Sequence, residues 1–202
     1  SGKKIEVTAV SAKNKKVERG LNLSRVEWID DARDLCNRPD VDVVVELIGG
    51  SEGIAKEIAE LAFKNGKSLI TANKALIAHY GDAIGKNAEK MDLKLGYEAA
   101  VAGGIPIIKT LREGLASNTF TRIYGILNGT CNYILTTMRE TGRDFNDVLN
   151  DAQKLGYAES DPSFDIDGID AAHKLAILTS IAFQTRINFD GVHTEGIRFI
   201  TP

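Results

Sequence analysis

Residues 156–174 read Gly-Tyr-Ala-Glu-Ser-Asp-Pro-Ser-Phe-Asp-Ile-Asp-Gly-Ile-Asp-Ala-Ala-His-Lys, five carboxylates followed by a lysine. A helix starting near Asp167 or Gly168 would place Asp167, Asp170 and Lys174 three and four residues apart on one face, so that two acids flank one ammonium. A site that handles a charged, polar small molecule needs such a set. The same spacing is also an ordinary surface feature, because acids favour a first helical turn and Asp-to-Lys pairs at i, i+4 are common. A calcium loop fits only part of the motif. With Ser163 in the first position, Asp165, Asp167 and Gly168 fall where an EF-hand wants them, but the closing bidentate glutamate is replaced by Lys174.

The three histidines add little. His173 is about 100° round a helix from Lys174 and reads as a packed or partly exposed structural side chain. His79 and His193 have no acid or cysteine at ligand spacing. Cys36 and Cys131 sit in no CxxC or Cys/His cluster, which disfavours a disulfide framework and structural zinc and fits a reducing, cytoplasmic setting. Of 202 residues, 43% are hydrophobic and 26% charged, and the formal charge is −3. That is ordinary for a soluble protein and gives nucleic-acid binding no support. No apolar run approaches the roughly 20 residues of a membrane span.

The elements that must position these groups alternate at first between strand and helix. Residues 5–10 read as a short strand. Residues 41–48 form a nearly continuous apolar run of the kind buried on both faces of a parallel sheet. Ser51 is placed to cap a helix carrying Ile54, Ile58, Leu61 and Ala62, with Gly66 as its stop, before a strand from Ser68 to Ile70. A helix around residues 82–91 and a strand through Leu93, Leu95 and Tyr97 follow. Together they predict an α/β fold, a partial doubly wound (Rossmann-type) dinucleotide-binding domain over residues 1–104.

From residue 105 the character changes, and residues 105–202 predict an α+β domain. Pro106 suits the first turn of a helix. Residues 119–127 look like a strand, and 131–139, 145–155 and 169–183 like helices, the second capped by Asp144 and ended by Gly156. A doubly wound domain should open on a central strand and a glycine-rich turn for the pyrophosphate. Gly49-Gly50-Ser-Glu-Gly53 does not match that fingerprint. Residues 5–10 lead into Ser11-Ala12-Lys13, as a second strand would, so the first strand and its turn are expected to precede the sequence given.

Five segments, Val45-Glu-Leu-Ile-Gly-Gly50, Thr71-Ala-Asn-Lys-Ala-Leu76, Glu98-Ala-Ala-Val-Ala-Gly-Gly-Ile-Pro106, Gly125-Ile-Leu-Asn-Gly-Thr-Cys-Asn-Tyr-Ile134 and 156–174, closely resemble homoserine dehydrogenase, in the right order through almost the whole chain. The resemblance implies interconversion of aspartate 4-semialdehyde and homoserine with NADPH or NADH, in the biosynthesis of threonine, methionine and isoleucine. It implies that residues 105–202 form the substrate-binding, catalytic and dimerisation domain, and that the family chain continues beyond Pro202.

Hydride delivery to an aldehyde carbon develops charge on its oxygen, and a positioned ammonium lowers that barrier. The resemblance assigns this work to Lys174, held by Asp170, with Lys74 sharing the electrostatics. It implies Glu159 for the substrate's amino group with Asp165 and Tyr157 nearby, and Gly129 and Thr130 for its carboxylate. Gly49, Gly50, Thr71, Asn73 and Lys74 fall on the cofactor side. Glu98, Val101, Gly103 and Ile105 fall where the family binds a monovalent cation such as sodium, mostly through main-chain oxygens; without the family this segment reads equally as a domain hinge.

An NAD site places an acid after the second strand. Here Ser11, Lys13, Lys15 and Lys16 follow Val10, which leans to NADP through the 2′-phosphate, although such a loop is also what a solvated surface presents. The partners expected are a small-molecule substrate and further copies of the chain, as a homodimer or higher oligomer, with no nucleic acid and no membrane. Two alternatives stay open, a related amino-acid or semialdehyde dehydrogenase and a catalytically silent ligand-binding or dimerisation module.

Overall fold

Ala9–Val10 (β1) and Glu27–Trp28 (β2) lie parallel, Ala9 beside Glu27 and Val10 beside Trp28. After a one-turn helix, Ala32–Leu35 (α1), the main sheet begins at Val43–Glu46 (β3). Ile54–Lys64 (α2) leads to Ser68–Thr71 (β4), and Lys74–Lys90 (α3) to Leu95–Gly96 (β5). The three strands are parallel in the order β3-β4-β5, with Val44 beside Leu69 and Leu69 beside Leu95. This is the alternation expected of a doubly wound domain. The computed structural model describes Gly2 and residues 4–202, in two units that meet at Ile105 and Pro106.

The core of the first unit lies on one side of the main sheet. Ile58, Ala59, Ala62 and Phe63 recur at helical spacing on α2 and pack with Val44, Leu69, Leu76 and Ile84. Burying a side chain such as Ile58 or Phe63 contributes about 1.5–3 kcal/mol, and Phe63→Ala would forfeit about 3–5 kcal/mol with the cavity it leaves. The other side chains of β3 and β4 point away from this core. Val43 is 44% exposed and Val45 56%, so the apolar run is buried on one face and not on both.

Two helix starts differ from expectation. The residue capping α2 is Gly53, at φ +69°, and not Ser51. Helix α3 begins eight residues before position 82, because the Asn73 side chain accepts a hydrogen bond from Leu76 N at 3.0 Å and Leu76, Ile77 and Ala78 are buried from its first turn. An asparagine that looks like a loop residue is a cap.

In the second unit Ile107–Lys109 (α4) runs into a π-helical turn at Thr110–Gly114. Residues 119–127 are not the expected strand. A strand requires a neighbour to complete its ladder, and among the described residues none lies beside this segment; its Tyr124 is 87% exposed and Ile126 76%. Gly129–Thr141 (α5) and Phe145–Lys154 (α6) pack through Ile134, Met138, Phe145, Val148 and Ala152. Left-handed Gly142 and Gly156 follow them as terminators.

Ser163–Ile166 (α7) turns into Ile169–Ala182 (α8) at Gly168, φ +83°. A Cβ there would meet the Glu195 carbonyl oxygen at 2.8 Å, so the turn depends on glycine both for its conformation and for the close passage of a later segment. Asp167 consequently ends α7 and does not begin α8. Its carboxylate binds Arg198, with Nη2 to Oδ2 at 2.8 Å, which corrects the expectation that it flanks Lys174.

Candidate functional site

Helix α8 presents Asp170 and Lys174 one turn apart. The Lys174 ammonium donates to Asp170 Oδ2 and to the Leu127 carbonyl oxygen, both at 2.8 Å. The Asp170 side chain is 3% exposed and that of Lys174 17%, so this is a largely desolvated ion pair and not a surface pair. A second acid reaches the group through an amide. The Asn128 Nδ2 donates to Asp170 Oδ2 at 2.9 Å and to Asp165 Oδ1 at 2.8 Å. The Thr130 hydroxyl lies 3.2 Å from Asp165 Oδ2 and 2.7 Å from the Tyr157 carbonyl oxygen.

Asn128 holds this position because it caps α5, its Oδ1 accepting from Cys131 N at 2.8 Å. Gly129 and Thr130 are therefore the first two residues of a 13-residue helix, whose amino end favours an anion. The Cys131 thiol donates to the Asp165 carbonyl oxygen at 3.2 Å. Burial, together with the charges of Asp165 and Asp170, pushes its pKa up to about 11. Arg198 holds the Asp167 carboxyl below the usual carboxylate range. Glu159 is exposed, and its carbonyl oxygen accepts from Gln153 Nε2 at 3.0 Å. Tyr157 is 57% exposed, with its ring 4.9 Å from that of Tyr133. His173 is buried between the rings of Phe164 and Phe189.

The first unit carries its own polar network at the carboxyl ends of β3 and β4, where open α/β sheets bind ligands. Glu46 is 1% exposed. Its Oε1 accepts from Ile48 N at 2.6 Å and Gly49 N at 3.1 Å, and its Oε2 from the Thr71 hydroxyl at 2.5 Å. Thr71 Oγ1 in turn accepts from Asn73 N, while Asn73 Nδ2 donates to the Gly50 carbonyl oxygen at 2.6 Å. The loops after the two strands are thereby tied together. Lys74, the first residue of α3, is half-buried beside them. Gly49 and Gly50 have φ of +88° and +78°, and a Cβ on either would meet nothing within 4 Å, so the backbone is open to a close approach.

An open cleft of about 690 Å³ lies in the loop between β1 and β2, lined by Lys15, Lys16, Glu18, Arg19 and Trp28. The Arg19 guanidinium sits 5.4 Å from the Trp28 ring centre. Lys13 is exposed in the same loop without lining this cleft, and Lys15 pairs with Asp30. At residues 98–105 the chain makes two tight turns. The Glu98 carbonyl oxygen accepts from Val101 N at 3.3 Å and Ala102 N at 3.5 Å, and the Ala102 carbonyl oxygen from Ile105 N at 3.2 Å. Among the described residues no cluster of His, Cys, Asp or Glu has metal-ligand geometry, and no helix is long and apolar enough to cross a membrane.

Asn128 and Glu46 were not among the residues singled out from the sequence. The signal for Asn128 was present, since it stands directly before a helix as a capping residue does. Glu46 offered the weaker signal of a carboxylate ending an apolar strand.

The parallel α/β architecture of the first unit, with its polar loops at the strand ends, belongs to the doubly wound class on which nucleotide-dependent oxidoreductases are built. Residues 1–98 match the family model described as the homoserine dehydrogenase NAD-binding domain, and residues 106–202 the homoserine dehydrogenase model. The chain belongs to the homoserine dehydrogenase family. The homoserine dehydrogenase of Neisseria gonorrhoeae is 52% identical over 97% of this chain and 45% of its own length; that of Pseudomonas aeruginosa is 51% identical over 100% and 46%. The crystal structure of a homoserine dehydrogenase from Thiobacillus denitrificans superposes with TM-score 0.83 at 51% identity, covering 88% of this chain and 41% of that one. The chain thus spans about half the length of the relatives it matches.

Proposed function

We propose that the protein containing this chain interconverts aspartate 4-semialdehyde and homoserine, with Lys174 as the proton donor and acceptor. The observation that carries this reading is the buried Lys174–Asp170 pair, held on a second side by the Leu127 carbonyl. When bound, NADPH or NADH supplies the hydride to the aldehyde carbon. Lys174 Nζ gives its proton to the carbonyl oxygen as charge develops there, and in the reverse direction takes it from the hydroxyl. Asp170 aims the ammonium. Lys74 adds positive potential from the cofactor side.

Asp165 and Glu159 take the substrate's ammonium, with Tyr157 bordering them. Gly129 and Thr130, at the amino end of α5, take its carboxylate. Gly49, Gly50, Thr71 and Asn73 shape the nicotinamide side, where the open left-handed glycines fit a closely approaching ligand. In the cleft between β1 and β2 the cations Lys15, Lys16 and Arg19 outnumber Glu18, which supports a 2′-phosphate and hence NADP, with Lys13 nearby. A homoserine dehydrogenase of a hyperthermophilic archaeon, 32% identical, was solved with NADPH. A monovalent cation would rest on the Val101, Gly103 and Ile105 main-chain oxygens, with Glu98 beside them. The segment 119–127, beside which no strand lies among the described residues and which exposes Tyr124 and Ile126, supports a homo-oligomer.

The test is oxidation of homoserine by the intact protein, compared with aspartate and related amino alcohols under NADP and NAD. Turnover of a different alcohol and not of homoserine would overturn the reading.

A further inference from the structure

We infer that Asn128 is a positioning residue whose neutral amide fixes the two acids of the site, binding each through its own hydrogen. The inference rests on the reading of Lys174 as proton donor. One amide nitrogen donates to Asp165 at 2.8 Å and to Asp170 at 2.9 Å, so each carboxylate receives one of its two hydrogens. The amide has no titrating proton at any physiological pH. It therefore links the acid paired with Lys174 to the acid on α7 through a group that carries no charge. Asp170 has a further donor in Lys174, while the single hydroxyl hydrogen of Thr130 is shared between Asp165 at 3.2 Å and the nearer Tyr157 carbonyl oxygen at 2.7 Å.

The remaining bonds fix the amide's orientation. Asn128 Oδ1 is occupied by Cys131 N, so the nitrogen must face the acids. The charged and titratable groups around it are Asp165 from α7, Asp170 and Lys174 from α8, and the Cys131 thiol on α5, whose pKa burial and then the two acids push up. Asparagine meets three demands together: an oxygen to cap the helix, two hydrogens for two carboxylates, and no charge. Aspartate meets only the first. At this position it would set a third carboxylate against Asp165 and Asp170, and like charges so placed favour protonation of the cluster. Serine also caps a helix but cannot reach two acids with two hydrogens.

The experiment compares Asn128→Asp, Asn128→Ser and Lys174→Met with the native enzyme in the intact protein. It reads kcat and KM for homoserine across pH, the dinucleotide Kd and the thermal melt. Both Asn128 variants keep the cap. N128D is expected to lose about a hundredfold in kcat/KM at neutral pH, the order lost when a reacting group is misplaced by about an ångström. It should recover part of this as pH falls and the added carboxyl protonates, with the dinucleotide Kd unchanged. N128S should show a loss with no such recovery.

A purely structural role predicts N128D profiles parallel to native at every pH, and that result overturns the inference. If N128D does not fold, N128S decides: native kcat/KM with a native melt overturns the inference, and a loss in kcat/KM at unchanged dinucleotide Kd supports it. If K174M retains turnover, the reading of Lys174 fails instead, whereas an inactive K174M beside a native N128D sinks only the role given to Asn128.

Discussion

Lys174→Met asks the buried ion pair two questions. Methionine keeps the length of the stem and removes the ammonium. Asp170, 3% exposed at its side chain, then keeps the Asn128 bond but loses its countercharge. Removing one partner of a buried pair costs about 3–5 kcal/mol, most of it the penalty for the uncompensated charge. Lys174 is less enclosed than Asp170, at 17%, so water reaches part of the vacated space and the lower end of that range is expected, about 3 kcal/mol. Turnover should fall about 10²–10⁴-fold, the range for loss of a general acid.

The double variant Asp170→Asn/Lys174→Met separates the two effects. An asparagine at 170 still offers Asn128 an oxygen but carries no charge, so stability should return to within about 1 kcal/mol of native while turnover stays lost. Urea unfolding followed by circular dichroism and nicotinamide absorbance under saturating homoserine measure both. A K174M enzyme within tenfold of native rate would refute the assignment of the proton to Lys174, and a double variant no more stable than the single would refute the argument from buried charge.

Two further outcomes follow from other parts of the molecule. The Cys131 thiol, with its pKa near 11, should react slowly with iodoacetamide at pH 8 and faster as pH approaches 11; because the unfolded thiol ionises earlier, the stability this group supplies is present below the unfolded pKa and is lost as pH rises through the folded value. Rapid labelling of the native protein at pH 8, located by peptide mass, would contradict this. Glu46→Gln turns one of its two acceptor oxygens into a donor in a site where three donors converge, and should cost about 1–3 kcal/mol, raise the dinucleotide Kd and increase hydrogen exchange at residues 48 and 49. Unchanged exchange there would show that the carboxylate does not hold the loop.

What the sequence made legible was mostly local. The period of Ile58, Ala62 and Phe63, the stop at Gly66 and the i, i+4 relation of Asp170 to Lys174 follow from helix geometry, and the helices at 54–64 and 169–182 lie where that geometry puts them. Errors arose where a residue's role is set by distant chain. Residues 119–127 have strand composition, but composition does not supply a neighbouring strand. Asp167 had Lys174 at plausible spacing until Gly168, turned by contact with residues 194 and 195, broke the helix between them and gave the acid to Arg198. The run at 41–48 reads as buried on both faces because it is nearly continuously apolar, while coverage of each face depends on what packs there. Asn128 escaped notice because its partners lie 37 and 42 residues away.

Asn73 secures the opening turn of α3 with one end of its amide and the Gly50 carbonyl with the other. Fraying of that helix and release of the neighbouring glycine pair are therefore a single event. The flexibility of the loop has its floor set by the melting of a helical turn, and a ligand that stiffens Gly50 would lengthen the lifetime of α3 at its beginning without touching it.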